Sequence, residues 1–214
     1  MKHEYIIFLV DSLRELNETY LSFIQLFAED NTILVIPSSS VVSLKTFLSE
    51  RIYKEYVRFL LAPHANIHLF FPVGLFPFPR IPLVSFLNNL ILLPLLSHKL
   101  NLLRKKNLIN RKKPIVYICG SEKMFNLHWI YIPGIFNETV VLYDLSQTRY
   151  KTKLSEKNIS VYERKIQDYA DVIFVINNTD KKFLTRYKNK VRIFPDASKD
   201  KRDMVNKTVK SFFS

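Results

Sequence analysis

With 214 residues, 48% of them hydrophobic and 24% charged, the chain has the balance of a globular protein, long enough to bury roughly 70% of its unfolded surface. Its only glycines, Gly74, Gly120 and Gly134, argue against an enzyme built on a glycine-rich phosphate loop, and the single Cys119 excludes an intrachain disulfide or a thiolate metal cluster within one chain. The 32 Lys and Arg against 19 Asp and Glu leave a net charge of +13, which suits an anionic partner: nucleic acid, a membrane surface or another protein. A lysine-rich composition serving solubility alone is the alternative.

The first apolar run, Tyr5–Val10, is too short for the core of a signal peptide and is closed by Asp11, so it is predicted as a strand. Further runs of the same kind follow at Thr32–Pro37, Ile67–Pro72, Pro114–Cys119, Thr139–Asp144, Asp171–Ile176 and Val191–Pro195. They are continuous rather than alternating, as in strands buried on both faces of a parallel sheet. Helical stretches are predicted between and after them, at Asn17–Glu29, Leu44–Leu61, Leu83–Lys106, Glu122–Tyr131, Ser160–Tyr169, Thr179–Tyr187 and Asp200–Phe213. The alternation predicts an α/β fold with a doubly wound, mainly parallel, Rossmann-like sheet of six or seven strands. With no internal repeat or low-complexity linker, residues 1–214 are expected to form a single domain, with the helix over 200–213 packing back on it.

Two segments interrupt this rhythm. His68–Arg80, with Pro72, Pro77 and Pro79 among Phe and Leu, is expected to be an irregular apolar loop. Lys99–Lys113 then places seven Lys and Arg in fifteen positions with no acid. Ile81–Ser97 is free of formal charge but falls short of the roughly 20 apolar residues of a spanning helix. A cytoplasmic protein, soluble or peripheral at the membrane, is therefore expected.

In doubly wound sheets ligands sit outside the carboxyl ends of the strands. That rule marks Asp11, Ser38, Gly74, Gly120, Asp144, Ser146 and Gln147 as candidates for lining a cleft. Asp144 is the one acid at a strand end beside polar neighbours and is a weak candidate for a catalytic base; capping the next helix is the simpler role. The five histidines, His3, His64, His68, His98 and His128, show no metal-ligand spacing, and no metal is expected. After Val10 the chain reads Asp11-Ser12-Leu13-Arg14, without the glycines that let a backbone approach a pyrophosphate. No cofactor is expected.

The apolar loop carrying Phe76 and Phe78, followed by Lys99, Arg104, Lys105, Lys106, Arg111, Lys112 and Lys113, has the make-up of an interfacial membrane element. Apolar side chains would enter the headgroup boundary while the cations meet anionic lipid. The alternative is a core helix whose basic end suits the helix dipole. Nucleic acid ranks below a membrane, because no aromatic-interleaved recognition motif accompanies the charge.

The order of segments resembles the N-terminal, acceptor-side half of retaining GT-B glycosyltransferases of the teichuronic-acid biosynthesis type, in glycosyltransferase family 4. The resemblance rests on Leu75-Phe76-Pro77-Phe78-Pro79-Arg80 and on Leu87-Asn88-Asn89 in a long helix. It continues with Tyr143-Asp144 ending a strand, Glu163 followed by Ala170-Asp171-Val172-Ile173-Phe174-Val175, Phe183-Leu184, and Val191-Arg192-Ile193-Phe194-Pro195. It covers roughly residues 67–199. Leu145-Ser146-Gln147 stands where the family has further acids, and Asp196-Ala197 where it has Asn-Gly. The resemblance implies acceptor binding and membrane docking by this half, in glycan or cell-envelope synthesis. A donor-binding partner would supply the nucleotide-sugar half, so transferase activity is expected only with that partner. A non-catalytic scaffold, binding nucleic acid or another anionic surface, is the competing expectation.

Overall fold

In the computed structural model the described residues are 5–10, 18–37, 65–70, 82–106, 113–119, 136, 138–145, 161–175, 181–194 and 198–211. Seven strands form one sheet: β1 (Tyr5–Val10), β2 (Thr32–Pro37), β3 (Ile67–Leu69), β4 (Ile115–Cys119), β5 (Val140–Asp144), β6 (Val172–Val175) and β7 (Val191–Ile193). Every pairing is parallel and the order is β3-β2-β1-β4-β5-β6-β7. The described helices are α1 (Glu18–Ala28), α2 (Pro82–Lys105), α3 (Val161–Tyr169), α4 (Lys181–Arg186) and α5 (Ser198–Lys210). The helices predicted over 44–61 and 122–131 lie outside the described residues.

The continuous apolar runs become central strands because both faces of the sheet are covered. Every residue of β1, β4, β5 and β6 is buried. On one face Ile7, Leu9, Val116, Ile118, Val141 and Tyr143 pack with Leu96 and Leu103 of α2, Ile166 of α3 and Tyr187, just beyond α4. On the other, Phe8, Tyr117, Leu142 and Phe174 pack with Phe23, Ile24 and Phe27 of α1 and with Val205 and Val209 of α5. Helices on both faces of a wholly parallel sheet make the fold α/β, doubly wound and Rossmann-like. The α5 helix lies against α1, and its Val205 and Val209 meet the core one helical turn apart.

The second face is built largely of rings. Phe8 and Tyr117 lie 4.8 Å apart between centroids, Phe23 and Phe27 meet edge-to-face at 4.8 Å, and Phe174 stacks on Phe194 at 4.2 Å. Aromatic pairs of this kind add about 0.5–1.5 kcal/mol each beyond their area burial.

Side chains close the ends of the elements. The Asn31 amide donates to the Phe27 carbonyl at 2.9 Å, and Asn66, beside β3, donates to the Ala28 carbonyl at 3.1 Å. Both satisfy carbonyls that the last turn of α1 leaves without helical partners. Asp171 fastens β6 to β5: its backbone N–H donates to the Val141 carbonyl, and its carboxylate accepts the Val141 N–H at 2.8 Å.

The edge strands are shorter than the sequence suggests. Ile67–Pro72 yields only Ile67–Leu69, and Val191–Pro195 only Val191–Ile193. Each pairs along one side only, and just beyond them the Phe70 N–H still reaches the Val35 carbonyl at 3.0 Å and the Phe194 N–H the Val175 carbonyl at 2.8 Å. Helix α2 runs through Pro94, whose side chain is exposed, and extends from Pro82 rather than from Leu83.

Candidate binding crevice at the carboxyl edge of the sheet

The strand order turns back on itself at β1. From β1 the chain proceeds outward to β2 and β3, then returns to place β4 on the other side of β1. Connections on the two sides therefore diverge above the carboxyl ends of β1 and β4, and a crevice opens there in sheets of this order. The register places Val10 beside Cys119 and Cys119 beside Asp144, so these three residues form one row at the carboxyl ends of β1, β4 and β5.

Asp144 is the charged member of that row, and it is 2% exposed. The Tyr117 hydroxyl donates to its Oδ2 at 2.7 Å. Tyr117 pairs with Leu142 in the ladder, so the bond runs diagonally from β4 to β5, a separation that a tyrosine can bridge. The phenol ring packs against Phe8 and Phe23 and is 1% exposed. This bond holds the carboxyl group in the α1/α5 face of the sheet rather than presenting it to the crevice. The next residue continues the attachment, as the Leu145 N–H donates to the Phe174 carbonyl at 2.9 Å. Cys119, at the end of β4, is buried and forms no disulfide.

Of the residues expected to line the cleft, Asp144 is described; Asp11, Ser38, Gly74, Gly120, Ser146 and Gln147 lie outside the described residues. Tyr117 was not expected from the sequence. It looks there like any aromatic in a strand, and only the β4–β5 register makes it the partner of Asp144. Among the described residues no group of three or more His, Cys, Asp or Glu could hold a metal ion.

The cations fall at the other end of the sheet. Helix α2 leads down to β4, so its last turn lies by the amino ends of the strands. Arg104 is close enough to act electrostatically on the phenol of Tyr5, the first residue of β1. Arg104, Lys105, Lys106 and Lys113 are exposed and Lys99 is half-buried. Phe76, Phe78, Arg111 and Lys112 lie outside the described residues.

Comparison of the chain with protein-family models, with curated proteins and with solved structures gives no match. The geometry and the order of motifs on the sheet therefore carry the functional reading. Among the described residues no helix is long and apolar enough to cross a membrane.

Proposed function

We propose that the chain is the acceptor-side component of a glycosyltransferase acting in glycan or cell-envelope synthesis, with another protein or chain segment binding the sugar donor. One observation supports this reading above the rest. The segments that resemble the family fall, in order, on three adjacent parallel strands: Val140–Asp144 on β5, Val172–Val175 on β6 and Val191–Ile193 on β7. The strand ending in Tyr143-Asp144 lies one strand from the turning point of the sheet, where a crevice would receive an acceptor. A fold alone hosts many functions, so it is this order of motifs on the sheet that supports the assignment.

In this reading Asp144 is a positioning residue. Its bond to Tyr117 sets the end of β5, and hence the path of the chain that follows it over the crevice. Sugar-donor binding belongs to the partner, because the chain after β1 lacks the glycines of a pyrophosphate cradle.

Titration of the purified chain with UDP- and GDP-sugars should give no heat of binding in calorimetry, and affinity capture from its native host should recover a protein with a donor-binding domain. Micromolar affinity of the isolated chain for a nucleotide sugar would overturn the division of labour. Capture of nucleic acid in place of such a protein would favour the scaffold reading.

A further inference from the structure

Strand β3 is a weakly held edge of the sheet. It is three residues long, half-buried throughout, and paired on one side only, to β2. The Ile33 N–H donates to the Asn66 carbonyl at 2.8 Å and the Phe70 N–H to the Val35 carbonyl at 3.0 Å, so these two bonds bracket the pairing. Ile67 and Leu69 pack with the α1/α5 face of the sheet, and Phe70 packs with the α2 face. Side chains alternate along a strand, so His68 faces α2.

His68 is half-buried there, and its Nε2 is sealed from solvent with no hydrogen-bond partner among the described residues. Of the elements beside it, β2 carries no titratable side chain. Helix α2 brings the half-buried Lys99 close enough to act on the imidazole electrostatically, while His98, the next titratable group on that turn, is exposed. From residue 56 to residue 121 the sequence holds no acid, so the stretch carrying β3 and α2 has no carboxylate of its own to receive an imidazolium.

The site accommodates a neutral ring and not a charged one. Protonation puts an N–H on both ring nitrogens, yet Nε2 meets neither water nor an acceptor, and Lys99 adds like-charge repulsion. Release of β3 hydrates the ring and separates the two cations. It breaks only a short ladder at the rim, whereas β1, β4, β5 and β6 are buried along their whole length. The sheet therefore yields at this edge before it yields as a whole.

We infer that His68 is an acid-sensitive latch on the edge of the sheet, whose protonation detaches β3 from β2 while the central strands stay paired. The chain passes from β3 to Gly74, one of the residues expected to line the cleft, so the latch ties acidity to the anchoring of that segment. The latch is independent of the acceptor and of any donor-binding partner.

The test is amide hydrogen exchange of the full chain by NMR at about pH 7.5 and about pH 5.5, one unit either side of the ordinary histidine pKa. Results are compared as protection factors, which removes the intrinsic pH dependence of exchange. The Ile33 and Phe70 amides report the β2–β3 pairing; the Thr139 and Leu145 amides, bonded to the Pro114 and Phe174 carbonyls, report the central strands. On acidification the protection of Ile33 and Phe70 should fall by up to about tenfold, the limit for an open form that titrates normally and a closed form that takes up no proton. Thr139 and Leu145 should keep theirs. His68→Gln should leave Ile33 and Phe70 equally protected at both pH values. Lys99→Gln leaves the imidazole in place and removes the repulsion, so it should shrink the fall, and it carries the test if His68→Gln fails to fold. Protection of Ile33 and Phe70 that ignores pH, a fall shared equally by Thr139 and Leu145, or a fall undiminished in either variant would each overturn the inference.

Discussion

Two tyrosines on the same sheet should respond in opposite ways to the loss of one oxygen atom. Tyr117 donates its hydroxyl to Asp144 at 2.7 Å, with the tyrosine 1% and the acid 2% exposed, so water cannot take the place of a lost donor. Removing one partner of a buried hydrogen bond costs about 1–3 kcal/mol. Tyr117→Phe keeps the ring against Phe8 and Phe23 and removes the hydroxyl that makes that bond. At a midpoint of 2 kcal/mol, and about 2–4 °C per kcal/mol for a chain of this length, the melting temperature should fall by about 4–8 °C.

Tyr5 is 2% exposed, and among the described residues its hydroxyl has no hydrogen-bond partner. Tyr5→Phe therefore removes a polar atom that folding strips of water without compensation, and stability should hold or rise by up to about 1 kcal/mol. Burial pushes the Tyr5 phenol well up, with Arg104 pulling more weakly in the other direction. Because the folded chain holds the proton more tightly than the unfolded one, wild type should lose stability as pH rises above about 10, and Tyr5→Phe should lose less. Urea unfolding followed by circular dichroism gives both midpoints, with a constant slope as the check that only stability has changed. Equal destabilisation by the two substitutions would refute the reasoning, since it would mean that neither hydroxyl is placed as described.

Two other buried polar groups give further outcomes. Gln167 in α3 is 0% exposed, and among the described residues neither amide atom has a hydrogen-bond partner. Gln167→Leu should raise the urea midpoint by the equivalent of about 1 kcal/mol, and a lowered midpoint would reveal a partner for the amide. His68 in β3 is pushed below the ordinary histidine range, first by burial and then by Lys99. The unfolded chain takes up that proton below about pH 6.5 while the folded chain resists it, so stability should be level above this pH and fall as pH drops below it. His68→Gln should flatten that fall, and an imidazole titrating at or above the ordinary value by NMR would contradict the account.

The central strands were written in the sequence almost residue for residue. Tyr5–Val10 and Thr32–Pro37 are strands over the lengths expected, because a strand covered on both faces needs an unbroken apolar run, and such a run is visible without any knowledge of its neighbours. The site was legible only in part. Asp144 could be placed at a strand end from sequence, but its bond to Tyr117, 27 positions away in the chain, follows from the β4–β5 register, which sets Tyr117 beside Leu142.

The order of the strands, and with it the crevice between β1 and β4, was likewise a matter for the tertiary structure. Composition and periodicity mark which segments are strands but not which lie side by side. Helix α2 shows the same division. Its leucines lie all around it, so the sequence could not say which were core. Packing on the sheet took Leu96 and Leu103 and left Leu90, Leu95 and Leu102 outside, because a helix on the surface of a sheet can bury only one side.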